Sequence, residues 1–180
     1  VQSFGAQQPS IARDVVLELR LPRALSAFAV GGLLSLAGAM LQVLLRNPLA
    51  DPYVLGVSGG ASVLALLAIM AGLPAAGVDG AAALGAFGAC LLVFALAQGP
   101  GGWTPTRLLL TGVVVAAGAG SVVSLLLALS DDTALRGMVF WLLGDLSRTE
   151  RWEWLLSLLL VATVTGALLG RHLNVLARGV

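Results

Sequence analysis

Lysine is absent from this chain, and all ten basic residues are arginine. A P-loop of the G-x-x-x-x-G-K-[ST] kind needs that lysine, so the chain does not bind ATP through one. Cysteine is nearly absent too. Cys90 stands alone inside an apolar run, which excludes a disulfide framework or a thiolate metal site within the chain and reads as a small buried hydrophobe. Charge is scarce at 11% of residues, against roughly 25% in ordinary soluble domains. Nine acidic residues nearly balance the ten basic ones, so net charge points to neither nucleic acid nor an acidic surface as partner. What the chain has in quantity is apolar side chain, 58% of its residues, a composition suited to lipid as solvent. Its first residue is valine, and residues 1–19 hold neither the basic n-region nor the apolar core of a signal peptide. The expectation is a piece of something longer.

A helix needs about 20 apolar residues to cross a hydrocarbon core of about 30 Å. Five stretches meet that length: residues 24–45, 54–73, 80–98, 108–129 and 152–170, the last with Trp152 and Trp154 as interfacial anchors. All the proline and nearly all the charge fall outside these stretches. The fold class expected is therefore all-α, a polytopic helical membrane bundle over residues 24–170. An interfacial segment, 1–23, precedes it, and a short polar end, 171–180, follows. Residues 134–146 are too short to span and read as a half-helix at the membrane surface. Asp131 and Asp132 before it are candidate helix caps. Two adjacent carboxylates without histidine or further oxygen ligands make a poor metal site, and no cofactor is expected.

Three spans repeat small residues every fourth position: Ala27, Gly31, Ser35 and Ala39; Ala81, Gly85 and Ala89; Gly112, Ala116, Gly120 and Ser124. In lipid such stripes let helix backbones approach closely. They serve either as packing alone or as a smooth wall for a bulky solute. Apart from Glu153 at the outer edge of the last, no apolar span holds an ionised residue. Ion-coupled transporters usually place one at membrane depth, so energy for any transport would have to come from elsewhere.

The stretch RNPLADPYVLGVSGG, residues 46–60, offers an enzymatic alternative. Gly56 to Gly60 spell G-x-S-x-G, the pattern of a serine nucleophile elbow. A nucleophile needs a base within hydrogen-bond reach, and the only histidine is His172, between Arg171 and Leu173 at the hydrated end of the last span. That context and the lack of a strand before Gly56 argue against an intramembrane serine protease using Ser58 and His172. The structural reading makes Ser58 the N-cap of a span beginning near Gly59, its oxygen accepting from the amide of residue 60 or 61. Pro52 supports a break there, and Asn47 and Asp51 are placed to accept from exposed backbone amides. An accessory membrane protein without a pathway is a further alternative.

Residues 19–62, LRLPRALSAFAVGGLLSLAGAMLQVLLRNPLADPYVLGVSGGAS, closely resemble the start of FecCD-type permeases, the membrane subunits of ATP-binding-cassette importers for iron-siderophores, haem and vitamin B12. RLPR, the small-residue helix, LRNPLADP and GVSGGA occur in the family's order and spacing, and the likeness continues through TRLLLTGVVVAAGAGSVVSLLL, LRGMVFWLLGDL and LNVLARG. The resemblance implies a ten-span permease of which this chain holds the second to sixth spans. It implies a second permease subunit, ATPase subunits, an extracytoplasmic solute-binding protein and the bacterial cytoplasmic membrane. Leu173, Asn174, Leu176 and Arg178 match the entry to the loop that presses on the ATPase. The first and fourth spans here would line the pathway, with the Ala27 and Gly112 stripes as wall or close-packing positions. Arg20 and Arg23 match two arginines that face the periplasm and pair with carboxylates of the solute-binding protein. The implied topology puts Arg46, Arg107, Arg171 and Arg178 inside and the other six arginines outside, against the positive-inside rule. Docking arginines at 20 and 23 account for part of that conflict.

Overall fold

The computed structural model describes residues 11–144, 146, 160, 161 and 163–166. Among them there are helices and turns and no strand. The chain divides into two units, residues 1–36 with 145–180 and residues 37–144.

In the first unit the helical path begins well before the expected residue 24. Helix α1, Ile11–Asp14, runs into a π-helical turn, Val15–Arg20, and then into α2, Leu21–Leu45. Pro22 explains the wide turn. A proline has no N–H for the carbonyl four residues back, and its ring collides with that carbonyl in a regular helix. Here the Leu21 amide reaches five residues back to Val16 O, which relieves the crowding. Pro22 and Ser26 are fully buried, and the Ser26 hydroxyl donates to Pro22 O at 2.8 Å. The π turn lets the helix pass through Pro22 and so begin ahead of the expected residue 24. Residues 160, 161 and 163–166 are helical; the rest of the span expected at 152–170 lies outside the described residues, as do Leu173, Asn174, Leu176, Arg178 and His172.

In the second unit, a 3-10 turn, Pro52–Leu55, leads to α3, Val57–Met70, α4, Ala75–Ala97, α5, Pro105–Leu129, and α6, Asp132–Leu143. Among the described residues, three helical stretches are long and apolar enough to cross a membrane: Val15–Leu45, Ala75–Ala97 and Pro105–Leu129. The span expected at 54–73 is shorter than that. Its 14 residues cover roughly 21 Å at 1.5 Å per residue. Both ends are cut by left-handed glycines, Gly56 at φ 68° and Gly72 at φ 71°. After α3 the Gly72 amide bonds Ile69 O and the Leu73 amide bonds Ala68 O, each at 3.0 Å, the paired bonds of a Schellman stop. Helix α4 starts five residues before the expected Gly80 and takes in Asp79, whose charge had marked a loop. Asp79 lies exposed in the second turn of the helix, where its carboxylate stays out of the packed face. Helix α5 has Thr104 as N-cap, accepting from the Arg107 amide at 3.3 Å, with Pro105 in the first helical position.

Helix α6 has 12 residues, too few to span, as expected. Asp131 occupies its N-cap position, and its carbonyl accepts from the Leu135 amide at 2.9 Å. The Asp131 carboxylate takes the Thr133 hydroxyl at 2.6 Å and caps no amide. Packing gathers at three places. Leu41, Leu45, Ala50, Leu55, Val93, Ala97 and Leu108 form one cluster. Ala65, Ala68 and Val78 join α3 to α4, and Leu66, Leu126 and Met138 join α3, α5 and α6.

Candidate functional site

The stretch between α2 and α3 is built from local backbone chemistry. Helix α2 ends on a second Schellman stop: the Arg46 amide bonds Val43 O at 3.2 Å and the Asn47 amide bonds Gln42 O at 3.1 Å. Arg46 takes the left-handed place, φ 49°, that glycine usually fills. The Asn47 side chain accepts from the Leu49 amide at 2.9 Å, and Asp51 accepts from the Tyr53 amide at 2.8 Å, as the sequence led one to expect. Asp51 thereby caps the 3-10 turn, with Pro52 as its first residue. Losing such a cap costs about 1 kcal/mol. Asp51→Ala is accordingly expected to lower the melting midpoint of the detergent-solubilised protein, and Asp51→Asn to restore most of it.

Ser58 does not cap α3. The helix begins one residue before it, Gly56 is the N-cap residue, and no side chain takes up an exposed amide. The Gly60 amide already bonds Gly56 O at 2.9 Å. The left-handed Gly56 lets the chain turn into the helix early, which moves Ser58 inside the first turn, where it is exposed.

The glycines around it bring backbones together. A Cβ at Gly60 would overlap Gly85 O and come 2.5 Å from Ala89 Cβ; one at Gly85 would overlap Gly60 O. A Cβ at Gly112 would overlap Val54 O, and one at Gly59 would lie 2.7 Å from Ala119 Cβ. The turn and the start of α3 are thus wedged between α4 and α5. The sequence placed Gly59 and Gly60 at the start of a span and led one to expect close packing there; the structure supplies the partners, Gly85 and Ala89 on α4 and Ala119 on α5.

The other stripes divide. Gly112 is buried and Ala116 half-buried in that wedge, while Gly120 and Ser124 further along α5 are exposed. Ala27, Gly31, Ser35 and Ala39 are all exposed on α2, with nothing within 4 Å of a Cβ at Gly31. The Ser35 and Ser124 hydroxyls donate to carbonyls of their own helices, Gly31 O at 2.8 Å and Gly120 O at 3.0 Å. Both exposed faces therefore present no unpaired hydroxyl proton. Arg20 and Arg23 are exposed at the start of α2.

The loop after α4 falls where the sequence put it, but its contacts were not foreseen. The Trp103 indole N–H donates to Phe94 O at 3.1 Å, and the two rings meet edge to face with centroids 5.3 Å apart. Arg107 donates to Gly102 O at 3.4 Å. These contacts tie the end of α4 to the start of α5. No group of three or more potential metal ligands occurs among the described residues.

A sequence model of the FecCD transport family matches residues 1–180. The chain belongs to the FecCD transport family. It is 42% identical to the vitamin B12 import system permease protein BtuC of Vibrio cholerae, over 86% of this chain and 47% of that protein. It is 39% identical to the ferric enterobactin transport system permease protein FepD of Escherichia coli, over 99% of this chain and 55% of that one. A solved structure described as an inward-facing conformation of a metal-chelate type ABC transporter superposes with a TM-score of 0.77 at 34% identity, over 96% of this chain and 56% of its own. The chain thus spans about half the length of the relatives it matches. With three span-capable apolar helices and permease relatives, this FecCD member is a multi-pass membrane protein.

Proposed function

We propose that this chain forms part of a permease subunit of an ATP-binding-cassette importer, one that moves a bulky iron-siderophore, haem or cobalamin-type solute across the bacterial cytoplasmic membrane. The observation that carries this reading is the match along almost the whole chain, in sequence and in fold, to permeases of such importers. On α2 the exposed stripe from Ala27 to Ala39, and separately on α5 the exposed Gly120 and Ser124, suit a pathway surface without projecting side chains, and the wedge at Gly60, Gly85 and Gly112 holds α3, α4 and α5 close. Arg20 and Arg23 dock the solute-binding protein. A planar guanidinium suits a carboxylate partner. Leu173, Asn174, Leu176 and Arg178 lead to the ATPase, which supplies the energy that this lysine-free chain does not bind for itself.

The test is made with the full-length gene product. It is expected to co-purify with a P-loop ATPase and, reconstituted with that ATPase and its binding protein, to take up a chelated metal or cobalamin only with ATP. Absence of ATP-driven uptake across such solutes would overturn the proposal. Ser58→Ala is expected to leave uptake unchanged, and to alter stability by less than about 0.5 kcal/mol, since an exposed hydroxyl away from caps and cores matters little. Labelling of the wild type by a fluorophosphonate, abolished in Ser58→Ala, would instead favour hydrolysis.

A further inference from the structure

Helices α3 and α4 are joined by only four residues, 71–74, and lie antiparallel as such short connections require. They are locked by backbone contact at Gly60 and Gly85 and by the Ala65, Ala68 and Val78 cluster. Both connections of this hairpin to the rest of its unit fall at its other end. One is the 3-10 turn with Gly56; the other is residues 98–104 with Gly102, and both glycines are left-handed, at φ 68° and 82°. The same end is tied to α5, by Gly112 against Val54 O and by Arg107 on Gly102 O. Further along, the hairpin and α5 leave a groove of about 460 Å³, lined on one side by Leu64, Leu84 and Gly88 and on the other by Val115, Gly118 and Ala119. Only aliphatic groups and glycine line it. Beyond it the hairpin meets α5 and α6 through Leu66, Leu126 and Met138, and methionine repacks readily.

We propose that α3 and α4 swing as one rigid body about Gly56 and Gly102, opening and closing this groove against α5 during the transport cycle. The inference rests on the transport reading above. Backbone-to-backbone contact has no slack for the two helices to flex separately, and a few residues at element ends can absorb the φ/ψ change of a hinge. The side-chain hydrogen bonds that tie the end of the hairpin to α5, Trp103 to Phe94 O and Arg107 to Gly102 O, lie at the hinge end and not in the groove. In lipid, opening the groove exposes little that the acyl chains do not solvate as well as a neighbouring helix does.

Paired spin labels on the full-length permease, assembled with its ATPase in lipid nanodiscs, test this. The background carries Cys90→Ala, with any cysteine elsewhere in the protein also replaced. One pair, at Leu67 and Phe87, lies within the hairpin; the other, at Phe87 and Leu125, spans to α5, and all three positions are exposed. Between nucleotide-free and ATP-trapped states the Phe87 to Leu125 distance is expected to shift while Leu67 to Phe87 stays constant. Exposed Leu91 and Val122 serve as the spanning pair if the first labels disturb assembly. Gly102→Ala meets open space but strains a positive φ, and is expected to slow ATP-driven uptake several-fold together with a modest drop in the melting midpoint. Constant distances in an active transporter, or a change within the hairpin, would overturn the swing alone. A protein with no ATP-driven uptake would overturn the transport reading and the swing together.

Discussion

Gly85→Val is expected to lower the stability of the protein by about 1–3 kcal/mol or more, the usual cost of overpacking, while Gly88→Ala one turn further along the same helix leaves it unchanged or slightly higher. The difference lies in what each new side chain meets. At Gly85 a Cβ would overlap the carbonyl oxygen of Gly60, and Gly60 has no side chain that could turn aside. The two backbones would have to separate, taking the Ala65, Ala68 and Val78 contacts with them. At Gly88 nothing lies within 4 Å, so alanine adds helix propensity of up to about 1 kcal/mol without a collision. Melting curves of the two variants in one detergent, at one scan rate, decide the matter. An unchanged midpoint for Gly85→Val would show that α3 and α4 do not depend on the close crossing.

Arg20→Glu combined with Arg23→Glu, in the full-length permease, is expected to slow association with the solute-binding protein by about 10- to 10³-fold at low salt, the range over which charge steering acts on encounter rates. Dissociation should change much less, because exposed charges act mainly on encounter. The gap between variant and wild type should shrink as salt rises, since the screening length falls from about 10 Å at 0.1 M to 3 Å at 1 M. Surface-immobilised binding protein and a salt series give both rates. If the two on-rates and their salt slopes coincide, the arginines do not dock the binding protein and are interfacial side chains snorkelling from the start of α2.

Much of the fold was legible because its signals are local. Long apolar runs gave α2, α4 and α5, though α5 starts at Pro105, three residues before the expected 108, and Asn47 and Asp51 found the amides expected of them. The misplaced boundaries share one cause. The boundaries at residue 24, Gly56 and Asp79 each depend on the backbone around them: a π turn carries α2 back past residue 24, a left-handed Gly56 starts α3 before Ser58, and α4 takes in Asp79 on an exposed position of its second turn. None of these conformations is written in the residue itself.

The sequence by itself determined that this is a lysine-free helical membrane protein of the FecCD transport family, because composition, apolar run length and motif order are properties of the chain in one dimension. Only the tertiary structure decided which glycines are contacts and which are free surface. Gly31, Gly60, Gly85, Gly112 and Gly120 look alike in a stripe, yet Gly60, Gly85 and Gly112 have a carbonyl of another segment where a Cβ would stand, while Gly31 and Gly120 have nothing within 4 Å. A glycine specifies only that a backbone can come close. Whether one does depends on where the neighbouring helix crosses, and that is set by α3, α4 and α5 packing together.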